Sequence, residues 1–221
     1  MNKVLIAPSI LSADYLNFGR DIKEIEKAGA DLLHVDVMDG VFVPNITFGM
    51  GLVGQIRQVT KLPLDVHLMI VEPGKYISRF AEAGADYITI HYEASKDLSR
   101  DLKAIRKNRV RPGVSINPDT SVKKIEPVLG LVELVLIMSV FPGFGGQEFI
   151  SGSLSKIREV KEILQKLGSK AKIEVDGGLN SQTAPLALAA GADILVAGAA
   201  IFNAKNYGKA IKNLRSKEGG K

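Results

Sequence analysis

The stretch "AGADLLHVDVMDG" (residues 28–40) joins a turn to a strand and sets polar groups where a core should be. Its first four letters recur. AGAD stands at Ala28–Asp31, Ala83–Asp86 and Ala190–Asp193, each time after a helical pattern and before an apolar run, "LLHVDVMD", "YITIHYE" or "ILVAGAAIF". The copies lie 55 and 107 positions apart. Both spacings are close to even multiples of about 27 residues, the length of one strand plus one helix with short loops. Eight such units would need about 216 residues, and the chain has 221. The spacing predicts an α/β fold: a (β/α)8 TIM barrel, one domain over residues 1–221. A doubly wound open sheet is the competitor, but about five to seven units would suffice there, and eight are legible.

The rest of the chain agrees. Strands are expected near 4–10, 32–38, 63–69, 87–92, 111–116, 132–139, 172–176 and 193–198, with helical patterns between them. "DIKEIEKAG" (21–29) sets Ile22 and Ile25 on one face and stops at Gly29, a C′ glycine. "KYISRFAEAG" (75–84) repeats that logic. Strands alternating with helices imply a parallel sheet.

Composition narrows the function. With no Cys, disulfides, thiolate metal sites and a Cys nucleophile are excluded. The net charge of +5 is matched by the segment 203–221, where Lys205, Lys209, Lys212, Arg215, Lys217 and Lys221 face Glu218 alone. We read this as a basic C-terminal helix and tail with a solvated face, not a nucleic-acid surface. The apolar runs around 131–141 and 192–202 fall short of the ~18 residues a membrane span needs. "MNKVLIAPSIL" is a poor signal peptide, broken by Pro8 and Ser9. The expectation is a cytoplasmic protein with no nucleic-acid or membrane partner.

Reactive groups of such barrels stand at the C-terminal strand ends. Within 32–40, His34, Asp36 and Met38 share one strand face, because side chains two apart point the same way. Leu33, Val35 and Val37 take the other, and Asp39 is left with a turn or loop-anchoring role. A buried acid must be compensated. Ser9, His34, Asp36, His67 and Asp176 all fall at strand ends, and His91 lies near one. Two imidazoles and two carboxylates form a mixed N/O set suited to a divalent metal: Zn2+ foremost, with Fe2+, Mn2+ or Co2+ as alternatives. The plain alternative for each His is a hydrogen-bonded core residue. Glycine segments follow three adjacent strands: "PGFGGQ" (142–147), "DGG" (176–178) and "AGAA" (197–200). Their backbone N–H groups would suit a phosphate. Met38, Met69 and Met138 also stand at strand ends, either as ordinary packing or as an apolar wall around the reacting carbon.

Taken in order, "SILSAD" (9–14), "HVDVMDG" (34–40), "DVHLM" (65–69), "MSVFPGFGGQ" (138–147) and "EVDGG" (174–178) resemble the ribulose-phosphate 3-epimerase family from end to end. The resemblance implies interconversion of D-ribulose 5-phosphate and D-xylulose 5-phosphate in the pentose phosphate pathway. It implies one divalent metal per subunit on His34, Asp36, His67 and Asp176, with Asp36 and Asp176 also moving the proton. It implies substrate contacts from Ser9 and His67. It implies a phosphate site at Gly143, Phe144, Gly145, Gly146, Gly177, Gly178, Gly198 and Ala199. It further implies a homo-oligomer, dimer or hexamer. One departure is visible: the family usually has Gly-Ser where this chain has Gly198-Ala199.

The residue types fit that chemistry. Inverting C3 beside a C2 ketone passes through an enediolate, so a base on one face and an acid on the other suffice. No organic cofactor is called for, and no dinucleotide fingerprint follows the first strand. Three alternatives stand beside this reading. One is a 3-epimerase for a phosphorylated hexulose such as allulose 6-phosphate. Another is a phosphosugar aldolase or decarboxylase, although no Schiff-base lysine lies inside a strand; Lys172 opens its strand at the wrong end. The last is a non-catalytic phosphosugar-binding barrel.

Overall fold

The strands decide the architecture because both of their faces are covered. "LHVDVM" (Leu33–Met38) and "LDVHLM" (Leu64–Met69) are buried at every position, as expected of a parallel sheet wrapped by helices. The computed structural model describes residues 3–216. In chain order it runs β1 (Leu5–Pro8), α1 (Phe18–Lys27), β2 (Leu33–Met38), α2 (Met50–Val59), β3 (Leu64–Met69), α3 (Ile77–Glu82), β4 (Tyr87–His91), α4 (Leu98–Lys107), β5 (Arg111–Ile116), β6 (Leu134–Met138), α5 (Ser153–Lys166), β7 (Lys172–Asp176), α6 (Ala184–Ala190), β8 (Ile194–Ala197), α7 (Ala199–Phe202) and α8 (Tyr207–Leu214). All strand pairings are parallel, in the order β1-β8-β7-β6-β5-β4-β3-β2. This is the TIM barrel that the repeat predicts. Leu33, Val35 and Val37 join the large core between sheet and helices.

One junction departs from the regular unit. Between β5 and β6 the chain makes 3₁₀ turns at Val122–Lys124 and Glu126–Leu131 in place of an α-helix. Pro127 and Gly130 lie inside that span and interrupt a helical ladder.

The barrel seam lies between β1 and β2, where a single parallel bridge, Ser9 to His34, joins the strands. Ser9 N–H donates to Ala197 on β8, while Ile6 C=O accepts from Asp31 and Leu32 on the β2 side. Alternation therefore turns Pro8 toward β2, and proline has no N–H to give.

The AGAD aspartates close the other end of the strands. Asp31, Asp86 and Asp193 donate N–H to the carbonyls of Ile6, Leu64 and Ile173 at 3.0, 2.9 and 2.8 Å. Their carboxylates accept the N–H of those same residues at 2.9, 2.9 and 3.0 Å. Each repeat thus extends the ladder with a side chain, and each aspartate faces a cation: Lys3 and Arg215, Arg57, and Lys172 respectively. The preceding glycines take φ of +92°, +100° and +121°, which turns the chain from helix to strand.

The basic C-terminal segment is helical over Tyr207–Leu214 and is capped by Asn206, whose side chain accepts from Lys209 N–H. Arg215 is spent on Asp31 and Gly29 C=O. Lys217, Glu218 and Lys221, which the sequence places in the tail, lie outside the described residues. Among the described residues no helix is long and apolar enough to cross a membrane.

Candidate active site

Register brings the polar strand ends together. Asp36 pairs with His67, and Asp176 pairs with Met138 on β6. One donor atom from each of His34, Asp36, His67 and Asp176 lies within 4.8 Å of every other. Asp36 is the hub. Its Oδ2 accepts the Ser9 hydroxyl at 2.5 Å, and its Oδ1 is 3.3 Å from both His34 Nε2 and His67 Nδ1. On its far side, His34 Nδ1 lies 2.5 Å from Asp65 Oδ2. With the ring proton directed there, Nε2 presents a lone pair to Asp36, and this buried nitrogen has no hydrogen-bond partner among the described residues. Two acceptors facing one another need a cation between them. The four donors, two nitrogens and two carboxylates, fit a divalent metal.

The surroundings push these groups in different directions. Burial would raise the Asp36 carboxyl, but His34 and His67 outweigh it and hold Asp36 well below the usual carboxylate range. Asp176 is pushed up to about 7, first by burial and then by the charge of Asp36. Burial pushes His67 down to about 4, partly offset by its contact with Asp36. For His34 burial works against the charged ring, yet Asp36 and Asp65 raise it well above the ordinary value. A bound cation would compete with a proton for His34 Nε2.

Beneath this group lies a polar layer that we do not expect from the sequence. Asp65 and Glu174 are fully buried, and His34, Asp65 and Glu174 form a second cluster of possible ligands. Burial and then Asp65 raise the Glu174 carboxyl well above its ordinary value. Strand parity puts Asp65 on the face of His67, and Glu174 on that of Asp176, but does not say what they meet there. His91 is fully buried beside His67. Asp39 anchors loops, accepting from Val41, Phe42 and Val71 N–H at 2.9, 2.9 and 2.8 Å.

A cavity of about 530 Å³ opens above, with Ser9, Asp36, Asp176, Met38, Met69 and Met138 at its floor and walls. His34 and His67 are fully buried and do not line it. Gly143, Phe144, Gly145, Gly146, Gly177, Gly178, Gly198 and Ala199 also line it. The loop over residues 143–147 is held by Asn45, which donates to Gly143 C=O at 2.8 Å, and by Gln147, which donates to Phe141 and Phe144 C=O at 2.7 and 2.9 Å. No backbone acceptor for the N–H groups of Gly178, Gly198 and Ala199 is found among the described residues. Gly178 has φ +63°, and a side chain there would meet the backbone of Phe149. Ser12 lines the same cavity, and its Oγ sits where a Cβ on Gly198 would fall and 3.5 Å from one on Gly145. The sequence does not single out Ser12.

Residues 5–202 match the ribulose-phosphate 3 epimerase family. The chain belongs to this family. It is 53% identical over 213 residues to the ribulose-phosphate 3-epimerase of Bacillus subtilis (strain 168), covering 96% of this chain and 98% of that one. It is 47% identical over 215 residues to the chloroplastic ribulose-5-phosphate-3-epimerase of Arabidopsis thaliana, covering 96% of this chain and 76% of that one. The barrel is also similar to the solved structure of 3-keto-L-gulonate-6-phosphate decarboxylase from Vibrio cholerae, with TM-score 0.72 and 15% identity over 97% of this chain and 98% of that one. That last likeness is one of fold.

Proposed function

We propose that this epimerase interconverts D-ribulose 5-phosphate and D-xylulose 5-phosphate, with Asp36 and Asp176 exchanging the C3 proton beside one divalent metal ion. The observation that carries the reading is the pair of aspartates. They project from β2 and β7 onto one cavity floor, and their pKa values are pushed apart. Such a split assigns one carboxylate as base and the other as acid. His34, Asp36, His67 and Asp176 would hold the ion, Zn2+ foremost, with Fe2+, Mn2+ and Co2+ suited to the same donors. When bound, it supplies positive charge to the ketone oxygen as negative charge develops there.

The chain's own residues do the rest. One aspartate takes the C3 proton from one face of the sugar, and the other returns a proton to the opposite face. The roles exchange in the reverse direction. Ser9 donates to Asp36 and keeps that carboxylate oriented. Met38, Met69 and Met138, all nearly buried, keep bulk water from protonating the enediolate. The free N–H groups of the glycine segments after β6, β7 and β8 would hold the phosphate. Ser12 would offer the hydroxyl that Ala199 lacks. We further propose a cytoplasmic homo-oligomer, dimer or hexamer.

The test is turnover of D-ribulose 5-phosphate beside allulose 6-phosphate, with solvent hydrogen exchange at C3 followed by NMR. We expect exchange and epimerisation together, with the higher kcat/KM on the pentulose. Phosphosugar binding with no exchange at C3 would overturn the assignment.

A further inference from the structure

His91 is not used by the proposed mechanism, yet it is fully buried at the end of β4. Its Nε2 lies 2.8 Å from His67 Nε2. The ring planes are 21° apart and the centroids 4.9 Å apart. The centroids exceed the nitrogen separation by about two ring radii, so the rings meet edge to edge. Such a contact holds one proton: one nitrogen donates and the other accepts. On its other side, His91 Nδ1 is 3.2 Å from Glu93 Oε2. Glu93 Oε1 accepts Asn117 N–H at 2.8 Å and the Thr120 hydroxyl. Burial works to raise this carboxyl, but His91, Thr120 and Asn117 together bring it down to about 2. An ionised carboxylate only accepts. His91 therefore carries its proton on Nδ1, its Nε2 accepts from His67 Nε2–H, and His67 Nδ1 is left bare toward Asp36 at 3.3 Å.

We propose that Glu93 and His91 are positioning residues, a relay that fixes the tautomer of His67 so that its bare Nδ1 faces the metal. The inference rests on the metal site proposed above. Asp65 does the same for His34 from the opposite side, by accepting from Nδ1. Outer partners of this kind orient a metal-binding imidazole and set which nitrogen is free.

Glu93→Gln tests the relay because it keeps the shape and reverses the polarity. Asn117 N–H can only donate, so it retains the glutamine oxygen, and the glutamine NH2 is turned on His91 Nδ1. His91 must then carry its proton on Nε2, and His67 on Nδ1. We expect the affinity for Co2+, read by visible absorption in competition with a chelator, to fall about 10–100-fold. In the metal-free protein, ¹⁵N NMR should show the His67 proton on Nε2 in the wild type and on Nδ1 in the variant. A variant Kd within twofold of wild type, or a metal-free wild type with His67 protonated on Nδ1, would overturn the proposal. The wild-type spectrum decides alone if the variant does not fold. Failure of the wild type to bind Co2+ at all would overturn the metal site itself, and the inference with it.

Discussion

Gly178→Ala separates the phosphate cradle from the catalytic floor. Gly178 has φ +63°, and an added Cβ would lie 2.7 Å from Phe149 Cα and 3.0 Å from Gln147 O, both backbone atoms. A left-handed conformation costs an L-residue about 1–2 kcal/mol. Phe149 N lies nearer still, and restoring ordinary contact pushes the 147–149 backbone outward by about 1 Å, an overpacking cost of about 1–3 kcal/mol. In a chain of this size the two together lower Tm by about 4–20 °C, readable by scanning calorimetry. The displaced segment adjoins the loop over residues 143–146, and residue 178 itself lines the cavity. KM for D-ribulose 5-phosphate should rise tenfold or more, about 1.4 kcal/mol, while kcat holds within about threefold because Asp36 and Asp176 are undisturbed. Gly146→Ala is the comparison: its φ is +76°, but nothing lies within 4 Å of the new Cβ. It should carry the conformational cost with a smaller change in KM. If Gly178→Ala lowers Tm and leaves KM within twofold, the phosphate does not bind there.

Two further outcomes follow from particular contacts. Asp176→Asn, with metal retained, should lower epimerisation by at least about 10²-fold while one epimer still exchanges its C3 proton with solvent; wild-type turnover would remove Asp176 from the mechanism. Asp31→Asn should destabilise the barrel at neutral pH by about 1–2 kcal/mol in urea unfolding, because hydrogen bonds to a charged group are lost. The sign follows from its pKa. Burial raises the Asp31 carboxyl, but Lys3, Ile6 N–H and Arg215 bring it below the ordinary value. Its stabilisation is therefore present above the unfolded-state pKa of about 3.9 and fades as pH falls through the folded value. The gap between wild type and variant should close under acid conditions; a gap that persists there would show that the ion pairs are not its source.

Much of this was legible because barrel strands alternate with period two and end on turns. AGAD reports the unit length directly, since the glycine must take positive φ and the aspartate must cap the strand beside it. The parity of His34, Asp36 and Met38 points to the barrel axis without any coordinates. Depth is harder to read. Whether Asp65 meets His34 depends on the register of β3 against β2, and single-strand periodicity is blind to register. Glu174 is hidden for the same reason. Ser12 reaches the Gly198 turn only through the fold of the segment after β1. The 3₁₀ connection before β6 keeps apolar residues at intervals that also suit a helix, so only Pro127 and Gly130 hint at the difference.

In the proposed reaction, two aspartates and a divalent ion on His34, Asp36, His67 and Asp176 epimerise C3. The most direct measurement is the turnover of D-ribulose 5-phosphate by the purified protein after chelation, and again after adding back Zn2+, Fe2+, Mn2+ or Co2+ singly. The account predicts loss of turnover on chelation and recovery with at least one of these ions, and no recovery in a His34→Asn, His67→Asn double variant. Full turnover after complete metal removal, or recovery in the double variant, would contradict it.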